Sequence, residues 1–257
     1  MHIFRFFEEQ DFIVNKIFVL SQQNSHKIIS VLRLQINSKI YLFNNTNIEF
    51  TAQIINIKTI KNIKSKIVEI KILQAINKNL ESPLKIHLAQ AVAKNDNMDW
   101  VVQKAVELGV HKITPIITNR TIVKIAADKT KKSLLHWQSI AISACCQCER
   151  NVVPIVNDII SFNDFINTSQ QNIDPCNKFI LSPSIDFDNN YINKDININP
   201  QQEIILVIGP EGGFNLEELK LAKQNQFLPL TFGPRILRTE TASIVALSIL
   251  QSKYGDL

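Results

Sequence analysis

Residues 205–218 read ILVIGPEGGFNLEE: an apolar run with strand character, the turn Gly209-Pro210-Glu211-Gly212-Gly213, and a helix start. The chain has only six glycines in 257 residues, and three of them stand in that turn. Glycine takes φ > 0 or lets backbone approach another group closely, so this concentration marks a turn with a special task. In open α/β sheets ligands bind beyond the carboxyl ends of strands, and Asn215 with Glu218 three residues on is a capping-box signature for the helix that follows. The stretch reads as strand end, ligand turn and helix, with a Cβ at Gly212 expected to intrude where backbone meets ligand. A plain tight turn between strand and helix stays open as the alternative.

The chemistry of the turn narrows the ligand. It has neither GxxxxGK[ST] nor GxGxxG, and Glu211 is a carboxylate that opposes a phosphate, so a ligand without phosphates, bearing positive charge, suits it. A phosphate-binding nucleotide enzyme fails for want of a phosphate loop. A second glycine-centred turn, FGPRILRTETAS at 232–243, again follows a strand and leads into a helix, and it carries Arg235, Arg238 and Glu240 beside Ile236 and Leu237. Two such turns at neighbouring strand ends make one pocket. The alternative is a solvated turn whose charges pair with one another.

Outward from these turns, residues from Leu84 onward alternate strand and helix. LKIHLAQAV, HKITPIIT, KFILS, EIILVIG and FLPLTFG are strand candidates; NDNMDWVVQKAVELG, a long segment from Lys131 to Gln147, NLEELKLAKQN and TASIVALSILQSKYG are helices. Asn95 or Asp96 is available as the first N-cap, Gly109 as its stop, and an Asn-rich loop lies at 185–202. Strands alternating with helices predict an α/β fold, a mostly parallel sheet covered on both faces. Residues 1–73 instead show period-two strands, HIFRF, KIFVL, KIYLF, NIEFTAQI and SKIVEIKI, with the helical SHKIISVLRL between them, as a small barrel would. Val68, Ile70 and Ile72 share one face of the last strand. QAINKNLESP marks a linker at 74–83, leaving 84–257 as the second domain.

Residues 1–73 hold ten Lys and Arg against five Asp and Glu, and the remainder holds eighteen against eighteen, so the net charge of +5 belongs to the N-terminal part. A surplus of that kind fits phosphate contact, with plain solubility as the other reading. Arg5 and Arg33 are its candidate contacts. Cys145, Cys146, Cys148 and Cys176 include one CxxC spacing but no second pair to complete a zinc site, so reduced packing thiols and no metal are expected. No run approaches the roughly eighteen apolar residues of a membrane helix. The expected location is the cytoplasm.

KNDNMDWVVQKAVELGVHKITPIITNRT, ACCQCERNVVP, IGPEGGF and FGPRILRTETA together resemble the RsmE family of ribosomal RNA methyltransferases, and SHKIISVLRL resembles its N-terminal signature. The resemblance covers nearly the whole chain. Departures are small: Asn215 stands where Ser is common, Phe232 where Leu is usual, and Gln147 and Arg150 are unaltered beside Cys145-Cys146. The resemblance implies a SPOUT-type α/β domain with a C-terminal trefoil knot, an N-terminal PUA-like β-barrel that binds RNA, and a homodimer. It also implies S-adenosylmethionine as cofactor and ring nitrogen 3 of a 16S ribosomal RNA uridine as the methyl acceptor.

The family's cofactor loops correspond here to Leu181 and Ser182, to Ile208, Gly209, Pro210, Gly212 and Gly213, and to Phe232, Gly233, Ile236, Leu237 and Arg238. Arg238 is the candidate for stabilising negative charge on the uracil oxygens, since a guanidinium fork reaches two of them. Glu211 and Glu240 are candidate proton acceptors, or else brace the turns by pairing with Arg235 or Arg238. Arg150 either contacts RNA or caps its helix. The final helix, with Ile244, Val245, Leu247, Ile249 and Leu250, carries more apolar surface than one stripe requires, as a dimer would. A ribosome-assembly protein that keeps a cofactor pocket without turnover is the reading from another class.

Overall fold

The computed structural model describes residues 3–60, 65–94, 96–123, 127–169, 177–182 and 198–257. Asn95, Cys176, His2 of the first strand candidate and most of the Asn-rich loop lie outside them. The chain divides into two compact units: residues 1–81 with 145–153, and residues 82–144 with 154–257.

The first unit holds a five-stranded sheet of β1 (Arg5–Phe7), β2 (Ile17–Val19), β3 (Lys39–Phe43), β4 (Ile48–Ile60) and β5 (Ser65–Asn77), in the order β1-β3-β4-β5-β2. All neighbours are antiparallel except β1 and β3. Alternation decides which face is buried: Val68, Ile70 and Ile72 of β5 are fully covered, together with Ile40, Leu42, Ala52 and Ile54. The helical interruption is α1 (Gln22–His26), capped by the Ser21 hydroxyl, which accepts from Asn24 N, and a π-helical turn over Lys27–Val31 that inserts Ile28 into the same core. β5 runs on to Asn77, into the stretch read from composition as a linker. Its Asn, Lys and Gln residues signal a loop by propensity, but pairing with β4 from Ile48 to Thr51 overrides it.

The second unit is built on β6 (Ile86–Ala91), β7 (Lys112–Ile117), β8 (Ile155–Val156), β10 (Lys178–Leu181), β11 (Ile204–Ile208) and β12 (Leu228–Leu230), in the order β12-β10-β11-β6-β7-β8, with β9 (Ile160–Ser161) also on β7. Every pairing is parallel. Strand β6 is buried at all six positions, as a strand covered on both faces must be. Helices α2 (Asp96–Glu107) and α6 (Thr239–Tyr254) pack on each other, as do α4 (Phe162–Thr168) and α5 (Leu216–Gln224). Helix α3 spans Ala127–Cys148.

Helix α4 is absent from the sequence reading, although Ser161 accepts from Asp164 N, and Phe162, Phe165 and Ile166 are buried at helical spacing. Seven residues offer too short a period to stand out. Among the described residues no helix is long and apolar enough to cross a membrane, and no group of three His, Cys, Asp or Glu side chains is placed to hold a metal ion.

Candidate active site at the carboxyl ends of three strands

Strands β10, β11 and β12 lie side by side and end together, so the loops that leave them face one another. A cleft opens there. Its walls are Leu181 and Ser182 at the end of β10, Ile208, Gly209, Pro210, Glu211 and Gly213 at the end of β11, and residues 230–237 at the end of β12, with Thr239 and Ala242 from the start of α6. Of the sequence-expected cofactor residues, Leu181, Ser182, Ile208, Gly209, Pro210, Gly213, Phe232, Gly233, Ile236 and Leu237 all line it, while Gly212 and Arg238 stand beside lining neighbours.

The three clustered glycines serve three different ends. Gly213 has φ +67° and its N–H donates to Pro210 O at 2.9 Å, closing the turn in the left-handed region that glycine adopts without strain. At Gly209 a Cβ would stand 2.9 Å from the Phe214 ring, so glycine lets Phe214 fold back and bury itself under the turn. At Gly212 a Cβ would meet the Arg120 side chain at 3.3 Å. The side of Gly212 that would carry a Cβ thus faces the loop of Arg120, where the sequence expectation set it toward a ligand. Across the cleft Gly233, at φ +70°, has open space where a Cβ would stand.

Helix α5 starts on a complete capping box, in which Asn215 Oδ1 accepts from Glu218 N at 2.7 Å and Glu218 Oε2 from Asn215 N at 2.8 Å. Glu218 is buried, and its other oxygen accepts from Asn119 N at 2.8 Å. On the far side Thr239 donates to Gly209 O at 2.6 Å and accepts from Gln90 Nε2 at 2.9 Å. Gln90 is fully buried in β6 and also accepts from Ser243. Gln90, Arg120 and Thr239 escape a reading of the sequence because each works through a partner far along the chain. The local trace is a polar Gln in a strand whose other residues, His87 apart, are apolar.

The expected catalytic side chains fall into two settings. Arg238 is exposed at the N-cap of α6. Glu211 is exposed on the rim, its Oε1 accepting from Lys94 N at 3.4 Å. Glu240 is buried in the first turn of α6, only 9% exposed, and its Oε2 has no hydrogen-bond partner. Burying a carboxylate oxygen unpaired is costly, and the helix N-terminus offsets part of that cost. Among the described residues neither Glu211 nor Glu240 forms an ion pair with Arg235 or Arg238, so the bracing pairs considered from sequence are not made.

Two of the three arginines expected to meet RNA are structural instead. Arg5 is 8% exposed; its guanidinium donates to Cys145 O at 2.9 Å and Asn151 Oδ1 at 2.7 Å, pairs with Glu49 at 3.1 Å and lies over the Phe43 ring. Arg150 is 5% exposed, and its Nε donates to Glu81 Oε2 at 3.0 Å. Both guanidiniums are desolvated and already face a carboxylate within the protein, so neither is presented to solvent where a phosphate would meet it. Arg33 is exposed, at φ +53°. Cys145, Cys146 and Cys148 carry free thiols; burial pushes that of Cys145 up to about 12, so it is inert as a thiolate.

The architecture and cleft are those of an RNA methyltransferase: the family model of an RNA methyltransferase domain matches residues 80–251, and that of an RNA methyltransferase PUA domain matches residues 20–72. Ribosomal RNA small subunit methyltransferase E of Buchnera aphidicola (subsp. Acyrthosiphon pisum) is 36% identical over 98% of this chain and 94% of its own length. Two solved structures match over the full length of both chains. One is a methyltransferase of Legionella pneumophila in complex with the bound cofactor SAM, at 39% identity and TM-score 0.87. The other is a ribosomal RNA small subunit methyltransferase E of Neisseria gonorrhoeae bound to S-adenosyl methionine, at 34% identity and TM-score 0.84. The chain belongs to the ribosomal RNA small subunit methyltransferase E family.

Proposed function

We propose that this protein transfers a methyl group from S-adenosylmethionine to ring nitrogen 3 of a uridine in 16S ribosomal RNA. The observation that carries the reading is the cleft at the ends of β10, β11 and β12, with glycines at positive φ on both sides, no basic side chain in the 209–213 turn and Arg235 on the opposite wall. Such a cleft fits a phosphate-free, cationic molecule held by main-chain groups, with Ile236 and Leu237 as apolar wall and the Glu211 carboxylate on the rim. Bound there, S-adenosylmethionine supplies a methyl group activated by its sulfonium charge. The same reading takes the chain after β12 to be threaded as a trefoil knot, the protein to be a cytoplasmic homodimer, and the RNA to be met within the small subunit.

The chain's own residues then have three tasks. The cleft must hold the uracil nitrogen in line with the transferred group, and that positioning supplies much of the acceleration. Arg238, exposed beside the cleft, places its fork on the uracil oxygens where negative charge develops. Glu211, which lines the cleft, takes the proton that the nitrogen loses; Glu240, covered by the first turn of α6, is second in line. Arg33, with exposed Lys16, Lys27 and Lys39 of the first unit, attracts the RNA backbone. Arg5 and Arg150 take no part in that contact.

The test is mass spectrometry of ribosomal RNA nucleosides from cells with and without the protein. Loss of 3-methyluridine from 16S RNA, and its return with the intact gene but not with an Arg238→Ala copy, is the expected result. An unchanged nucleoside profile overturns the reading.

A further inference from the structure

The loop after β7, Thr118-Asn119-Arg120-Thr121, has no part in the cleft, yet it reaches the glycine turn from behind. The loop is itself fixed. Thr118 N donates to Thr121 Oγ1 at 2.9 Å, Thr121 N donates to Thr118 O at 3.1 Å, and the two hydroxyls share a bond at 2.9 Å. From this frame Asn119 N donates to Glu218 Oε1, and the exposed Arg120 donates from Nη1 to Gly212 O at 3.0 Å. The Arg120 stem also occupies the side of Gly212 that a side chain would use, since an ideal Cβ there lies 3.3 Å from Arg120 Cβ and 3.7 Å from its Cδ. A side chain at 212 would crowd the arginine stem, which would have to give by a few tenths of an ångström. The carbonyl of Gly212 and its missing Cβ thus face one partner, a cation that ends outside the cleft.

We infer that Arg120 is a positioning residue for the cofactor turn: it clamps the Gly212 peptide so that Pro210, Glu211 and Gly213 present their cleft-side groups in one arrangement, and Gly212 is glycine to admit that clamp. The inference rests on the reading of the cleft as the S-adenosylmethionine site. Arg120 acts on binding and not on the chemical step. A turn of five residues with three glycines has many alternative conformations to lose, and fixing it before the ligand arrives raises affinity without adding a contact to the ligand. A charged donor on a backbone carbonyl suits the task, because it holds from the protein's outer side and leaves the cleft-facing groups free.

The experiment uses the full-length protein, with S-adenosylmethionine as titrant in calorimetry and single-turnover methylation of small-subunit RNA as the second readout. Arg120→Ala is expected to raise the dissociation constant roughly fivefold to tenfold, about what one solvent-exposed hydrogen bond contributes. The rate at saturating S-adenosylmethionine and the thermal midpoint should stay at wild-type values, with Arg120→Lys between the two. Gly212→Ala is expected to weaken binding as well, and Gly212→Ala combined with Arg120→Ala should be no weaker than the worse single variant. Additive losses would mean that Gly212 serves the ligand directly, and would overturn the inference. So would an unchanged dissociation constant in Arg120→Ala, or a fall in rate at saturation with binding intact, which places Arg120 on the RNA. If the wild-type protein itself fails to bind, the functional reading is what falls.

Discussion

The two glycine turns that face each other across the cleft are built on opposite plans. The 209–213 turn is held from every side: Phe214 folds under it, Arg120 and Lys94 reach it from neighbouring loops, Thr239 bonds its first carbonyl, and a capping box fixes the helix it enters. The 232–238 turn is bare. Among the described residues no side-chain hydrogen bond or ion pair reaches it, Arg235 and Arg238 stand in solvent, and Ile236 is 80% exposed. One wall is therefore tied into its surroundings, while the other presents two cations and an apolar side chain to solvent. The difference suits a site with two substrates, one small and one large.

The comparison breaks most easily at Phe214. It is 5% exposed and packs against Phe162 as well as Gly209, so Phe214→Ala should cost about 3–5 kcal/mol in denaturant unfolding and abolish S-adenosylmethionine binding. Binding at wild-type strength in that variant would show that the turn does not depend on its underpinning.

A control lies at the opposite end of the same sheet. His87, near the start of β6, accepts or donates at 2.7 Å to Thr114 Oγ1, and burial lowers its pKa from 6.5 to about 3. Its folded-state value is depressed, so between pH 6.5 and 3 the unfolded chain binds a proton that the folded chain does not. Stability should fall as pH drops through that window, by about 1.4 kcal/mol per unit from this group, and His87→Gln should remove that part of the slope. An identical slope in both proteins would show that other groups carry the acid sensitivity. The cleft walls are far from this end of the strands, so binding near neutral pH should be the same in both.

Arg238→Lys sharpens the comparison on the bare side. It keeps the charge and loses the fork, and single-turnover methylation should drop about tenfold with the dissociation constant for S-adenosylmethionine within about twofold of wild type. A rate within threefold of wild type removes Arg238 from the mechanism. The smallest effect is expected of Ile236→Ser, which should change unfolding free energy by no more than about 0.5 kcal/mol because the side chain is already in water. A larger loss would mean that the exposed wall is covered by a second copy of the chain.

What the sequence announced and what it concealed follow one physical line. Period-two burial in β5, the strand-to-helix turn at 209–213 and the Asn215–Glu218 box are local patterns, and each is present where the pattern puts it. The fates of Arg5 and Gly212 are not local. An arginine in a short strand reads as a surface cation, and nothing nearby signals that Glu49 and Asn151 will surround it. A glycine in a glycine-rich turn reads as making space for a ligand, and only the folded chain shows that Arg120 fills the space. Arg150 misleads in the same way, since its partner Glu81 lies in the stretch taken for a linker.

The membership of residues 145–153 in the first unit has a consequence for synthesis on the ribosome. Domains of a nascent chain ordinarily close in the order in which they emerge, amino-terminal first. Here the β-sheet of residues 5–77 emerges early, but Arg5 must wait for Cys145 and Asn151, and Lys78 for Glu149, all supplied after more than half of the chain has been translated. Until then Arg5 and Glu49 lack the part of their surroundings that residues 145–153 supply in the finished unit. The last-made piece of the first unit thus arrives together with the middle of the second, and neither can be finished by its own stretch of messenger alone.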